Sequence, residues 1–233
     1  MNKKIIVFIW EWKSEYAFFE ELIKNRYNMK QEKVKSWILY RKEDIFILLW
    51  HPDVKINNWG CSVLQKPITY IDVKAKIKWH SYILGNVSDC DFHYLIFTDT
   101  DTWWMKERVK GIESNINKYC VDYRWKIIPI LAYKEIETWF LAWIGSDFLN
   151  VHNNVNLNAL GKFLKKRDIE KIDDTKEILI NSVLAKTEIG WYWKQELIWR
   201  EFWKYIDVDQ AKTKSRSFAK FINELDSIFI FED

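Results

Sequence analysis

The chain has 233 residues, of which 48% are hydrophobic and 30% charged, with a formal net charge of +3. That length can bury one large core, or one core with a smaller helical extension, and no apolar run approaches the roughly 20 residues that a membrane span needs. The small charge does not by itself announce a nucleic-acid partner, and three cysteines without Cys-x-x-Cys spacing (Cys61, Cys90 and Cys120) argue against a zinc site or a disulfide framework and fit a reducing cytoplasm.

The chain opens with two lysines before an apolar run, as a secretory leader does, but a polar stretch without a small-residue cleavage site follows. The run 4–10 is therefore expected to be a first strand. Residues 15–27 place Ala17, Phe18, Leu22 and Ile23 at helical spacing, with Ser14 as the expected cap and Glu15 near the positive helix end. Strands are predicted over 37–40 and 45–50, a helix over 71–84, a strand over 94–98 and a helix over 105–119. A short apolar strand over 126–131 follows, with Pro129 implying a sheet edge or a strand end, and then a helix over 134–143. Alternation of strands and helices predicts an α/β fold with a largely parallel sheet flanked by helices. Beyond residue 145 the pattern changes to short amphipathic helices at 156–167, 175–184, 194–205 and 217–226, with no strand signal before Ile228–Phe231. The expected organisation is an α/β domain over 1–145 and a helical extension over 146–233 packed on it, with no repeat and no low-complexity linker between them.

The chemistry concentrates in Leu95–Asp101, where an apolar strand runs into two carboxylates spaced i, i+2. On an extended backbone their Cα atoms lie roughly 6.6 Å apart. Asp99 and Asp101 then repel each other by about 2–3 kcal/mol at an effective dielectric near 20, and a divalent cation turns that repulsion into binding. Glu11 closes the first predicted strand as Asp99 closes the central one. In open parallel sheets functional groups gather at the carboxyl ends of strands, so neighbouring strands would bring three hard oxygen donors together, a set suited to Mg²⁺ or Mn²⁺. No phosphate-binding Gly-rich loop, dinucleotide fingerprint or Ser/Cys nucleophile motif is present, and His51, His80, His93 and His152 lack metal-ligand spacing. An Asp-x-Asp after a strand also serves nucleotide-sugar transferases, a reading that leaves Glu11–Glu15 unexplained.

Trp10-Glu11-Trp12-Lys13-Ser14-Glu15 before an amphipathic helix resembles the strand-Glu-Gly-x-[Ser/Thr]-Glu-helix opening of TOPRIM-like domains, and Leu95–Asp101 resembles their strand-Asp-x-Asp. Pro129–Ala142, with Glu135, Glu137, Trp139 and Leu141, is similar to the strand followed by Glu-x-Glu-x-Trp-x-Leu in uncharacterised TOPRIM-like proteins allied to RloB and OLD-type nucleases. A weaker match joins Ser217-Phe218-Ala219-Lys220-Phe221 to the Ser-Phe-x-x-Phe ending of that group.

The resemblance implies a TOPRIM-like, Rossmann-like fold and a Mg²⁺- or Mn²⁺-dependent nuclease, of a kind used in phage defence. Glu11 would be general acid/base or metal ligand, Asp99 and Asp101 metal ligands, and Glu137 a further ligand. Lys13, Lys194, Lys214 and Arg216 are the expected contacts to nucleic acid. No ATPase motif accompanies them, so energy-coupled action implies a separate ATPase partner. A catalytically inert TOPRIM-like interaction module is the third reading.

The departure from the pattern is Trp12, where the family carries glycine. The chain holds 15 Trp and 6 Gly, against roughly 16 Gly at average usage. Several indoles stand where a turn favours glycine: Trp12, Trp59 beside Gly60, and Trp103-Trp104 after the Asp-x-Asp. This predicts that some of these positions are UGA codons that the source reads as glycine, which UGG at every one of them would refute. Trp139 matches the family as tryptophan and is expected to anchor its helix in the core.

Overall fold

A computed structural model describes residues 4–9, 13–34, 37–50, 91–99, 110, 114, 127–132, 136–144, 169–179, 181 and 206–229. Strand β1 (Lys4–Ile9) is followed by helix α1 (Lys13–Asn25) and strands β2 (Lys30–Val34), β3 (Trp37–Lys42) and β4 (Ile45–Trp50). Then come β5 (Asp91–Asp99), β6 (Ile127–Ala132) and α2 (Ile136–Trp143). A 3₁₀ turn (Ile169–Lys171), α3 (Thr175–Ile178), α4 (Val208–Lys214) and α5 (Arg216–Phe229) complete the described elements. By contacts the chain divides into two compact units. Residues 1–12, 23–98 and 104–130 form the first, and 13–22, 99–103 and 131–233 the second.

The described strands make one six-stranded sheet in the order β2-β3-β4-β1-β5-β6. β1 is parallel to both neighbours, with Lys4 opposite Ile45 and Asp91, and Ile9 opposite Trp50 and Ile96. The sheet is mixed and only partly the parallel sheet expected, because β2-β3-β4 is an antiparallel meander. The reason is local. Two residues, Glu43 and Asp44, separate β3 from β4, which permits a hairpin and leaves no room for a crossover helix. Glu43 takes the left-handed conformation there (φ 53°), and Arg41 Nε donates to its carbonyl at 3.0 Å.

β1 lies inside the sheet, with Ile5, Ile6, Val7 and Phe8 all buried, which explains its unbroken apolar run. β2 went unpredicted. Its Lys-Gln-Glu-Lys-Val sequence suits an edge, where charged side chains discourage pairing with another chain. β6 ends the other side of the described sheet, as Pro129 implied. The chain leaves α1 through Asn28 in the left-handed conformation (φ 54°), which asparagine tolerates, and Met29 N–H reaches back to Ile23 O at 3.0 Å. α1 begins at Lys13, so Ser14 lies in its first turn and not at the capping position expected for it.

The second unit packs around an aromatic cluster. Phe18 and Phe19 of α1, Trp139 and Trp143 of α2, and Phe218 and Phe221 of α5 are all buried. Trp139 stacks on Phe221 (centroids 5.1 Å, 16° between planes) and meets Phe218 edge-on at 5.4 Å. Phe18 stacks on Trp143 at 5.1 Å and lies 5.9 Å from Phe221. Pairs of this geometry add about 0.5–1.5 kcal/mol each beyond burial.

α5 presents Phe218, Phe221, Ile222, Leu225, Ile228 and Phe229 on its buried side. Ile228 and Phe229, expected to open a terminal strand, therefore continue the helical spacing. α4 lies outside the helix predicted over 194–205, which falls outside the described residues, as do the helices at 71–84 and 156–167 and the expected domain boundary at 145/146. Lys110 and Ser114 are helical, in keeping with the helix predicted around them. No described helix is long and apolar enough to cross a membrane.

Candidate functional site

Two places on the chain carry the residues singled out by sequence. The first is the carboxyl edge of β1 and β5. From β1 the chain passes through α1 to the β2-β3-β4 side of the sheet, and later returns to the opposite side as β5 and β6. The direction of strand order thus reverses beside β1, and in open α/β sheets such a switch point opens a crevice at the carboxyl ends. The paired strands run the same way, with Ile9 opposite Ile96 and three further residues of β5 ending on Asp99. Near this edge Phe8 and Phe97 are fully buried, with ring centroids 6.2 Å apart. Glu11, Trp12, Asp101, Trp103, Trp104, Glu135 and Lys194 lie outside the described residues, and Lys13 and Asp99 are described by their backbone alone. Among the described residues no three His, Cys, Asp or Glu side chains are grouped closely enough to hold a metal ion.

The second place is the junction of α2, α4 and α5 in the second unit. Glu137 is buried in the first turn of α2, where its carboxylate lies 3.9 Å from Lys176 Nζ of α3. Next to it the Thr138 and Thr175 hydroxyls hydrogen-bond at 3.0 Å. Trp139 anchors the helix as expected, and its indole Nε1 donates to Ser217 Oγ at 2.7 Å. The two short motifs containing Trp139 and Ser217 therefore meet in one core.

Glu170, which sequence did not single out, completes that core. Its Oε1 accepts from Ser217 N–H at 2.6 Å and from Ser215 Oγ at 2.8 Å. Ser215 Oγ in turn accepts from Phe218 N–H at 3.2 Å, so α5 is capped by its preceding serine and by a carboxylate from the 3₁₀ turn. Buried Ser215 and Ser217 make this junction a structural clasp rather than a reactive centre, since both hydroxyls are committed to neighbours. Nothing in the local sequence around Glu170 signals the role, because its partners stand 45 and 47 positions away.

The basic residues of the same junction differ from one another. Asp207 caps α4 by accepting from Gln210 N–H at 2.8 Å. Lys214, in the last turn, is half-buried; desolvation holds its ammonium below the usual lysine range, and the Asp207 carboxylate partly opposes that shift. Arg216, the first residue of α5, is exposed and borders a groove of 570 Å³ with Lys212 and Lys220. Lys214 does not line it. At the start of β5, His93 Nε2 lies 2.9 Å from Asp91 Oδ2, an ordinary strand-face pair far along the strand from Asp99.

No family model matches this chain, and no curated protein does. Among solved structures the chain is similar to that of a hypothetical protein from Pyrococcus horikoshii OT3, at 14% identity and a TM-score of 0.47, over 97% of this chain and 98% of that one.

Proposed function

We propose that the chain is a metal-dependent nuclease of the TOPRIM-like kind, with Glu11, Asp99 and Asp101 as its reactive carboxylates. The observation that supports this reading is the parallel pairing of β1 with β5 at the reversal of strand order, because Glu11 follows the carboxyl end of the one and Asp99 closes the other. The donor set suits a hard cation: Asp99 and Asp101 would hold Mg²⁺ or Mn²⁺, with Glu11 as a third oxygen donor or as the group that moves the proton of the attacking water. When bound, the ion polarises a phosphodiester oxygen and offsets the charge that develops there. Glu137 enters less directly, because its carboxylate already faces Lys176.

Purified protein is expected to nick plasmid DNA or cut RNA in Mg²⁺ or Mn²⁺, and Asp99→Ala to abolish cutting without lowering the melting temperature. Activity that survives in Asp99→Ala, or a wild-type protein that neither cuts nor binds divalent ion, defeats the proposal, and the second result favours an inert TOPRIM-like module. Binding of a sugar nucleotide with no effect on DNA or RNA favours the transferase reading.

A further inference from the structure

We infer that the groove along the outer side of α4 and α5, bordered by Lys212, Arg216 and Lys220, docks the phosphodiester backbone of nucleic acid. The inference deepens the nuclease reading, which supplies the choice of polymer, and it replaces Lys214 with Lys212 and Lys220 as partners of Arg216.

Three observations carry it. The first is charge: Lys212, Arg216 and Lys220 border one 570 Å³ groove, and among its described lining residues Glu224, toward its far end, is the one carboxylate. Arg216 and Lys220 are four residues apart on one helix, so their Cα atoms stand about 6 Å apart along its axis and make a row rather than a point. The second is what surrounds them. Asn223 continues the row as an exposed polar side chain, which suits sugar and phosphate oxygens better than an apolar ligand. The third is what α5 lacks. Its apolar side, Phe218 through Phe229, is already buried in the protein core, so no hydrophobic face remains on this helix to enter a bilayer. Without an insertable apolar side this surface would hold a bilayer by charge alone, and three cations at about 1 kcal/mol each make a weak anchor, which favours the polymer over the lipid surface. Lys214, half-buried and with its charge disfavoured by desolvation, is poorly suited to the same task.

The test measures fluorescence anisotropy of a labelled oligonucleotide, single-stranded and duplex, in EDTA so that binding is read without cleavage. The wild type is expected to bind with an affinity that falls steeply with salt. Lys212→Gln/Arg216→Gln/Lys220→Gln is expected to weaken binding about tenfold or more and to flatten the log affinity against log salt slope by about 1 per residue. Lys220→Glu alone, at an exposed mid-helix position, guards against misfolding and should weaken binding in the same direction.

Unchanged affinity and slope in a triple variant of unchanged melting temperature overturn the inference. So does a wild type that binds no oligonucleotide, or one that prefers phosphatidylserine vesicles through the same three residues. Loss of binding in the variant beside a wild type that neither cuts nor binds Mg²⁺ or Mn²⁺ upholds the groove and removes the nuclease reading. Cutting by a wild type whose triple variant binds normally does the reverse.

Discussion

Replacing Glu170 with alanine should destabilise the second unit more than its half-exposed position suggests. Its Oε1 receives two hydrogen bonds, at 2.6 Å from Ser217 N–H and 2.8 Å from Ser215 Oγ. Hydrogen bonds to a charged group contribute about 1.5–3 kcal/mol each, and a carboxylate at a helix N-terminus adds about 0.3–1 kcal/mol. The two bonds share one oxygen and part of the residue is solvated, so the sum is an upper bound. Glu170→Ala is therefore expected to cost about 2–4 kcal/mol. Urea unfolding followed by far-UV circular dichroism reads this as a shift in midpoint with little change in slope.

Glu170→Gln keeps an acceptor oxygen and removes the charge, and should recover about half of the loss. In a double-mutant cycle with Ser215→Ala the two effects should be strongly non-additive, since the residues share a bond. A loss below about 0.5 kcal/mol in Glu170→Ala, the range of ordinary surface substitutions, would refute the clasp.

Trp139→Phe keeps most of the aromatic volume but removes the donor to Ser217, and should cost about 2–3 kcal/mol, more than Ser217→Ala, by the same unfolding assay. Lys214→Gln tests the direction of its shifted charge. The folded protein holds that proton less tightly than the unfolded chain, whose lysine titrates near 10.5, so wild-type stability gains as pH rises from below the lowered value through 10.5. The advantage of Lys214→Gln over wild type, measured as a melting-temperature difference, should therefore be largest near neutral pH and shrink across that window. A difference that grows with pH would contradict it.

Much of the fold was legible because burial writes a periodic pattern. β1 read as a strand from its apolar run, and α5 from apolar residues at helical spacing. The elements that escaped are those held by something other than a hydrophobic pattern. β2 is a charged edge strand kept in place by backbone pairing with β3, and α4 is a short, mostly polar helix started by the Asp207 cap. β5 was legible only from residue 94 on, where its apolar run lies; Asp91–His93, with two polar residues of three, extend it without that signal. Glu170 and Lys220 were not legible, since the partners of the one and the groove beside the other are assembled from distant or intervening turns.

The aromatic cluster also sets a timetable. Phe18 lies 5.9 Å from the ring of Phe221, about 200 residues later in the chain, and Trp139 joins both. During synthesis the apolar side of α1 emerges first and its partner on α5 far later, at translation rates of about 5–20 residues per second. For that interval, on the order of ten seconds or more, the nascent second unit holds Phe18 and Phe19 without Phe221, the ring that finally packs against both. During synthesis the delay is set by translation and not by closure of the loop, and aromatic rings exposed for that long are what a chaperone binds.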